Sequence, residues 1–405
     1  MTGALSGIRI IDWGSFHHGI GGSYMLGDLG AEVIHIEDRI KGDMSRGVHS
    51  LYGSSTLLPA GRNVLFETTN RNKKSITLDI TKEEGREIVH EMVKKSDVFL
   101  TNFRQDAAKK HKLDYETLKK HNPRLIYAFA SAYGSKGPLS KKRGFDPIGL
   151  ANSGIMWRLG DRDQDEPLQP CGFIADSSGA TMAAYGILAA LVARERLGIG
   201  QFIEVSLLGS MIHMQSANVN STLFTGRPFA RHSRSRVRNP LSNMYKCSDG
   251  QWLILAEPQS NTYWDKFCIA IGREDLREHD DEAKRAKNCE YLNSTLAEVF
   301  LTRPREEWLA LLDNEIPELV FNAILDITDL PDNPQVLENQ YIVDVPDYPA
   351  DADIKMVGFP VKFSETPCHI QRPAPEWGEH TEEVLIDVCG YDWERIGKLK
   401  EEEVI

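Results

Sequence analysis

Apolar positions along the first two hundred residues follow two alternating patterns. Short apolar runs at 8–11, 33–36, 98–100 and 125–129, and an alternating stretch at 75–79, predict strands. Between them lie stretches with helical spacing. After 81, Ile88, Val89, Met92 and Val93 share one face, and Thr81 with Glu84 three residues on predicts a capping box. A glycine-rich turn after the first strand leads into a helix ending near Leu29 and Gly30, and another helix is predicted at 115–120. An Ala-rich helix is predicted from about 180 to 196, stopped by Gly198 and Gly200, with a strand at 202–208. Strands alternating with helices imply a parallel sheet covered on both faces, a doubly wound Rossmann-like α/β domain. Ligands in such folds sit beyond the carboxyl ends of the strands. Those ends carry Ser15, Arg39, Asn102, Phe103, Arg104 and Tyr133.

The pattern changes after 217. Residues 218–240 are polar and basic, with Arg231, Arg234, Arg236 and Arg238, and read as a linker. Residues 241–330 predict a smaller α+β domain: strands at 244–247 and 252–256, then helices at 264–271, 288–300 and 305–312. From 331 the chain returns to the large domain (1–217 and 331–405), with a strand-like 357–363 and short helices at 380–388 and 393–400.

Composition narrows the function classes. The chain has 405 residues, 41% hydrophobic and 26% charged, and a net charge of -12, which argues against a nucleic-acid or membrane-surface partner. No apolar run is long enough to span a membrane. The first residues lack a basic-then-apolar leader pattern, so a cytoplasmic protein is expected. Six scattered cysteines, none in a C-x-x-C pair, suit reduced thiols and predict neither a disulfide frame nor a metal site.

Asp176 is the leading chemical candidate. It stands at the start of the Ala-rich helix among small residues. An Asp there commonly caps the first-turn N–H groups, a duty Ser177 or Ser178 can also perform; it is equally reachable by a ligand, as nucleophile or base. Gly19, Gly21 and Gly22, with Glu37 at the end of the second strand, invite a dinucleotide reading. Tyr24 occupies the third glycine position of that fingerprint, so no NAD is expected. Arg71, Lys73 and Lys74, and Arg104, Lys109, Lys110 and Lys112, form two basic clusters that would suit phosphates, with Arg104 the best placed. His17 or its neighbour His18 is a candidate pocket residue.

Six segments in order resemble the class III CoA-transferases (CaiB/BaiF-like proteins), which include the alpha-methylacyl-CoA racemases. They are LSGIRIID at 5–12, GDLGAEVIHIE at 27–37, NRNKKSITLD at 70–79, TNFR at 101–104, GFIAD at 172–176 and ARERLGIGQ at 193–201. The resemblance implies a Rossmann-like domain built from both chain ends, a smaller middle domain, and two subunits interlocked as a dimer, either a homodimer or a heterodimer with a paralogous subunit. It implies coenzyme A or acyl-CoA as substrate, with no metal, and a small carboxylic acid as acceptor: an aryl or branched 2-hydroxy acid, or a substituted succinate such as benzylsuccinate. Asp176 matches the family's catalytic aspartate, which forms an anhydride and then an aspartyl-CoA thioester, with helix-start N–H groups as oxyanion donors. CoA contacts are expected from Ser15, Phe16, His17, Arg39, Asn70, Lys73, Lys74, Asn102, Phe103, Arg104, Tyr133 and Phe145. The racemases place a histidine where this chain has Phe145, which carries no proton, so transfer is favoured over racemisation. A further alternative is a non-catalytic subunit in which Asp176 only caps its helix.

Overall fold

The computed structural model describes residues 3–349 and 353–405. One sheet holds β1 (Arg9–Trp13), β2 (Glu32–Asp38), β3 (Lys73–Leu78), β4 (Val98–Thr101), β5 (Ile126–Ser131) and β6 (Gln201–Ser206). Their order is β3-β2-β1-β4-β5-β6, and every pairing is parallel. Ile10 faces Val33 on one side and Val98 on the other. The order reverses between β1 and β4, so the loops leaving these two strands part at the carboxyl edge and open a crevice. This is the expected doubly wound α/β architecture.

Both faces of the sheet are covered, which explains why its strands read as apolar runs. On one face Ile88, Val89 and Met92 pack with Ile11, Ile34 and Phe99. Val384, Val388, Ile396 and Leu399 join that core, so the end of the chain returns to the first domain. On the other face Ile20 and Leu26 of helix Ile20–Asp28 meet Ile187 and Leu191 of helix Ile174–Leu197.

Four local expectations are corrected. The capping box at Thr81 does not form: helix Glu83–Lys94 has Lys82 at its N-cap, and the Thr81 N–H and hydroxyl both donate to Asp79 Oδ1, at 2.9 and 2.6 Å. Asp79 sits only two residues from Thr81, against three for Glu84, and captures the hydroxyl first. The long helix begins at Ile174, six residues before the predicted start. The last strand stops at Ser206, whose hydroxyl accepts from Gly209 N and caps helix Leu207–Met214. Residues 218–225, expected within a linker, belong to helix Ser216–Thr225.

The described residues form two units. One takes those up to 156, with 169–228 and 337–405; the other takes 157–168 and 229–336. The second unit is built on an antiparallel sheet of Met244–Lys246, Trp252–Leu255 and Phe321–Ile324, with the Trp252 strand central. Its core gathers Trp264, Phe267, Phe300 and Trp308. Among the described residues no helix is long and apolar enough to cross a membrane.

Candidate active site

The start of helix Ile174–Leu197 is unusual. Gly172 and Phe173 both have positive φ, 87° and 29°. That region is costly for Phe173, and its ring is held by stacking on His17, centroids 5.7 Å apart and planes within 5°. Phe173 is the N-cap but offers no capping atom. The cap comes from thirty residues upstream: Asp146 Oδ1 accepts from Asp176 N at 3.0 Å, and the Ala175 amide also bonds to that carboxylate. The expected capping by Ser177 or Ser178 is therefore absent. The Ser177 hydroxyl lies 3.2 Å from His17 Nε2, and that of Ser178 is buried without a partner. The amides of Ala175 and Asp176 are likewise spent, which removes them as oxyanion donors.

Asp176 is 8% exposed. Burial first, and the charge of Asp146 second, push its carboxyl up from 3.8 to about 7. The positive end of its own helix acts the other way and loses. Burial also raises Asp146, against the two amide bonds that lower it. Tyr52, at the tip of the hairpin Ser50–Leu51/Ser54–Ser55, has φ 49°. Its phenol is raised by burial and then by Asp146, Cys171 and Asp176, so it stands within electrostatic reach of both carboxylates.

Close helix packing brings the first loop to this carboxylate. A Cβ on Gly21 would sit 3.1 Å from Ala180 Cβ, and one on Gly22 2.7 Å from Ala180 O. Gly179 leaves room for His18, whose Nδ1 would be 2.2 Å from an added Cβ. Burial lowers both His17 and His18 to about 4, with Lys73 adding to the effect on His17, so both rings are neutral at pH 7. His18 Nε2 contacts Ser131 O at 2.8 Å.

The crevice between β1 and β4 is stitched by Asn102. Its Oδ1 accepts from Ser15 N at 3.1 Å, and its Nδ2 donates to Ser15 O and His18 O at 2.7 and 3.0 Å. A cavity of about 300 Å³ opens at the carboxyl ends of β1, β2 and β3. Trp13, Ile36, Leu78, Ile80 and Phe103 give it apolar walls; Ser15, Asp43 and Lys41 supply polar groups.

The residues predicted to bind CoA fall into three sets. Ser15 and Phe103 line the cavity, while Phe16 (φ 62°) and His17 continue the Ser15 loop toward Asp176. Arg104, Tyr133 and Phe145 are solvent-accessible; Phe145 is 67% exposed, at the N-cap of helix Asp146–Ser153. The remaining group is committed to the fold. Asn70 is wholly buried and donates to Phe66 O, Lys73 is wholly buried on Asp12 at 2.6 Å, and Lys74 pairs with Glu32 and Glu383. Arg39 lies 3.4 Å from Glu403, and Arg71 is engaged by Asp28. As placed, Asn70 and Lys73 have no surface to offer a ligand. Sequence reading missed Asp146, Tyr52 and Lys41; Asp146 was visible only as the acid after Phe145.

Comparison with known proteins shows the family. A family model described as CoA-transferase family III matches residues 5–381. The chain is 33% identical over 408 residues to (R)-2-hydroxy-4-methylpentanoate CoA-transferase of Clostridioides difficile, covering 99% of each. It is 29% identical to cinnamoyl-CoA:phenyllactate CoA-transferase of Clostridium sporogenes, covering 100% of this chain and 98% of the other. A crystal structure of a CAIB/BAIF family protein from Brucella suis superposes with a TM-score of 0.84 at 26% identity, covering 96% of this chain and 100% of that one. The chain belongs to CoA-transferase family III: it is a CoA-transferase enzyme.

Proposed function

We propose that the enzyme moves CoA from an acyl-CoA donor to a carboxylic acid through Asp176. The ionised carboxylate attacks the thioester carbonyl and expels CoA thiolate, leaving an acyl-aspartyl anhydride. The thiolate attacks the aspartyl carbonyl, releasing the donor acid and forming an aspartyl-CoA thioester. The acceptor carboxylate attacks that thioester and regains a mixed anhydride; the thiolate then attacks the acceptor's carbonyl, which frees Asp176. Each step conserves the activation of the original thioester.

The observation that supports this reading is a carboxylate raised by burial and by Asp146, beside a loop that also lines the cavity. A poorly solvated carboxylate is a stronger nucleophile than a hydrated one. The cavity would take the nucleotide end of CoA, with Lys41 near the phosphates, and the thioester would run along Ser15–His17 to Asp176. The acceptor is proposed to be an aryl or branched 2-hydroxy acid, the chemistry named for two similar enzymes. Two copies are proposed to pair, because helix Ser216–Thr225 buries none of its own residues. Incubation with acyl-CoA followed by hydroxylamine should modify Asp176 alone, and Asp176→Ala should abolish transfer. An active Asp176→Ala enzyme would overturn the mechanism.

A further inference from the structure

Behind the cavity lies a row of ionisable side chains that the reaction does not use. Lys73 Nζ is 2.6 Å from Asp12 Oδ2, and Asp12 Oδ1 is 3.3 Å from His35 Nδ1. His35 Nε2 is 3.3 Å from Asp43 Oδ2. Asp43 N donates to Glu37 Oε2 at 2.9 Å, and Arg46 holds Glu37 with two bonds of 2.7 and 2.8 Å. Asp12, His35 and Lys73 are wholly buried, and Glu37 and Asp43 nearly so. Among the described residues the three carboxylates (Asp12, Asp43, Glu37) meet two other cations, Arg46 and Lys73, the latter lowered by its burial, so the row balances when Lys73 and His35 are both protonated. A buried carboxylate left uncompensated is strongly destabilising.

Asp43 is where this row meets the cavity. Its Oδ1 accepts from the Ser15 hydroxyl at 2.8 Å and from Ser45 N at 2.7 Å. Ser15, Lys41, Gly42, Asp43 and Met44 all line the cavity. Gly42 has φ 64°, and a Cβ there would lie 3.3 Å from Glu37 Oε2, so the loop fits tightly over the row. We propose that His35, protonated and clamped between Asp12 and Asp43, is a positioning residue that fixes the 39–46 loop and Ser15 in the shape that receives the nucleotide end of CoA. This inference rests on the CoA-transfer reading above.

Burial opposes the charge on His35, and Asp12 and Asp43 overcome it, holding the imidazole up at about 9. The groups facing it are Asp12 from β1, Lys73 from β3 and Asp43 from the loop, with Glu37 and Arg46 beyond, and the Phe66 ring 6.1 Å away. The folded value lies above the ordinary 6.5, so the clamp is complete below 6.5 and is lost as pH rises through about 9.

The test is His35→Gln in the whole chain, because an uncharged amide offsets the charge of neither carboxylate. Adenosine 3′,5′-bisphosphate, the nucleotide end of CoA, is the binding probe in calorimetry. Its affinity should fall about tenfold or more, and KM for acyl-CoA should rise in step while kcat stays within about threefold. Kinetics with an acyl-pantetheine thioester, which lacks the nucleotide but still passes Ser15, should change by less than the tenfold expected for acyl-CoA. Wild-type affinity for the bisphosphate should also decline above about pH 9, and that of the variant should not. Asp43→Asn removes the charge His35 faces and keeps an acceptor for Ser15; it carries the same expectation if His35→Gln does not fold. Unchanged bisphosphate affinity in a folded variant, or a fall in kcat without a rise in KM, overturns the inference. A wild type that neither binds the bisphosphate nor transfers CoA would instead overturn the underlying reading.

Discussion

Asp176 should cost the fold stability at neutral pH, and Asp176→Asn should recover it. The carboxyl is held at about 7 in the folded protein against an ordinary 3.8. The unfolded chain therefore releases this proton first, and between 3.8 and about 7 the folded state binds more protons than the unfolded one. Stability contributed by this site falls with pH across that window and is flat outside it. At about 1.4 kcal/mol per pH unit, the full cost approaches ~4 kcal/mol and serves as a ceiling, since relaxation and water entry reduce it. Asn has nearly the same shape and no proton to lose. Urea unfolding of both proteins at pH 5, 6, 7 and 8, under reversible conditions, isolates the pH-dependent part. The gap in favour of Asn should widen by ~2–3 kcal/mol between pH 5 and 8 and stop growing beyond about 7. Mass spectrometry of each sample guards against hydrolysis of Asn back to Asp. A pH-independent gap, or one that moves toward wild type as pH rises, would refute the claim that burial controls this carboxylate.

Two further outcomes are expected. Asp146→Asn keeps an oxygen for the Asp176 amide and removes the second of the two influences that raise Asp176. The acid limb of the pH–rate profile should move to lower pH in this variant than in the wild type, by less than half of the whole rise because burial is the larger cause; an unmoved limb would mean that Asp146 acts only as a cap. Leu223→Glu with Phe224→Glu alters side chains that are 73% and 83% exposed. Burying a side chain of either type contributes about 1.5–3 kcal/mol, counted twice across a twofold interface, so for the proposed pair of copies sedimentation should report a dimer for the wild type and monomers for the variant; a variant that still pairs would place the interface elsewhere.

How much of this was legible in the sequence depended on the range of the interactions. Strands β1, β2, β4 and β5 could be read because helices on both sides bury them, and burial leaves runs such as 8–11 and 33–36 in the sequence. Asp176 was singled out from its small neighbours and its place among family segments. Its cap was not, because the bond from Asp146 spans thirty positions and no local spacing rule reaches that far. The helix start was read six residues late because Gly172 and Phe173 turn the chain through positive φ, which a non-glycine residue does not advertise. The basic cluster at 71–74 was read as phosphate-binding for a similar reason: the partners that absorb it, Asp28, Asp12 and Glu32, lie tens of residues away on β1, helix Ile20–Asp28 and β2. Of the charges singled out in the sequence, Arg104 is left exposed.

The distant cap also bears on how a nucleophile can sit at a helix start. The first-turn amides would ordinarily hydrogen-bond to a carboxylate in that turn and hold it low, leaving a stable and unreactive anion. Here Asp146 takes the amides of Ala175 and Asp176 itself. Asp176 is thereby denied the bonds that would solvate it, while the same substitution brings a second negative charge nearby. Both effects raise its carboxyl, and both leave the ionised form less satisfied and more willing to bond to an electrophilic carbon. Asp146 thus performs the structural duty that Asp176 would otherwise perform, and this division of labour leaves Asp176 available for the proposed nucleophilic role. If so, reversing the duty should be visible: Asp146→Ala leaves the amides to Asp176, lowering its carboxyl further than Asp146→Asn does while slowing transfer at saturating pH.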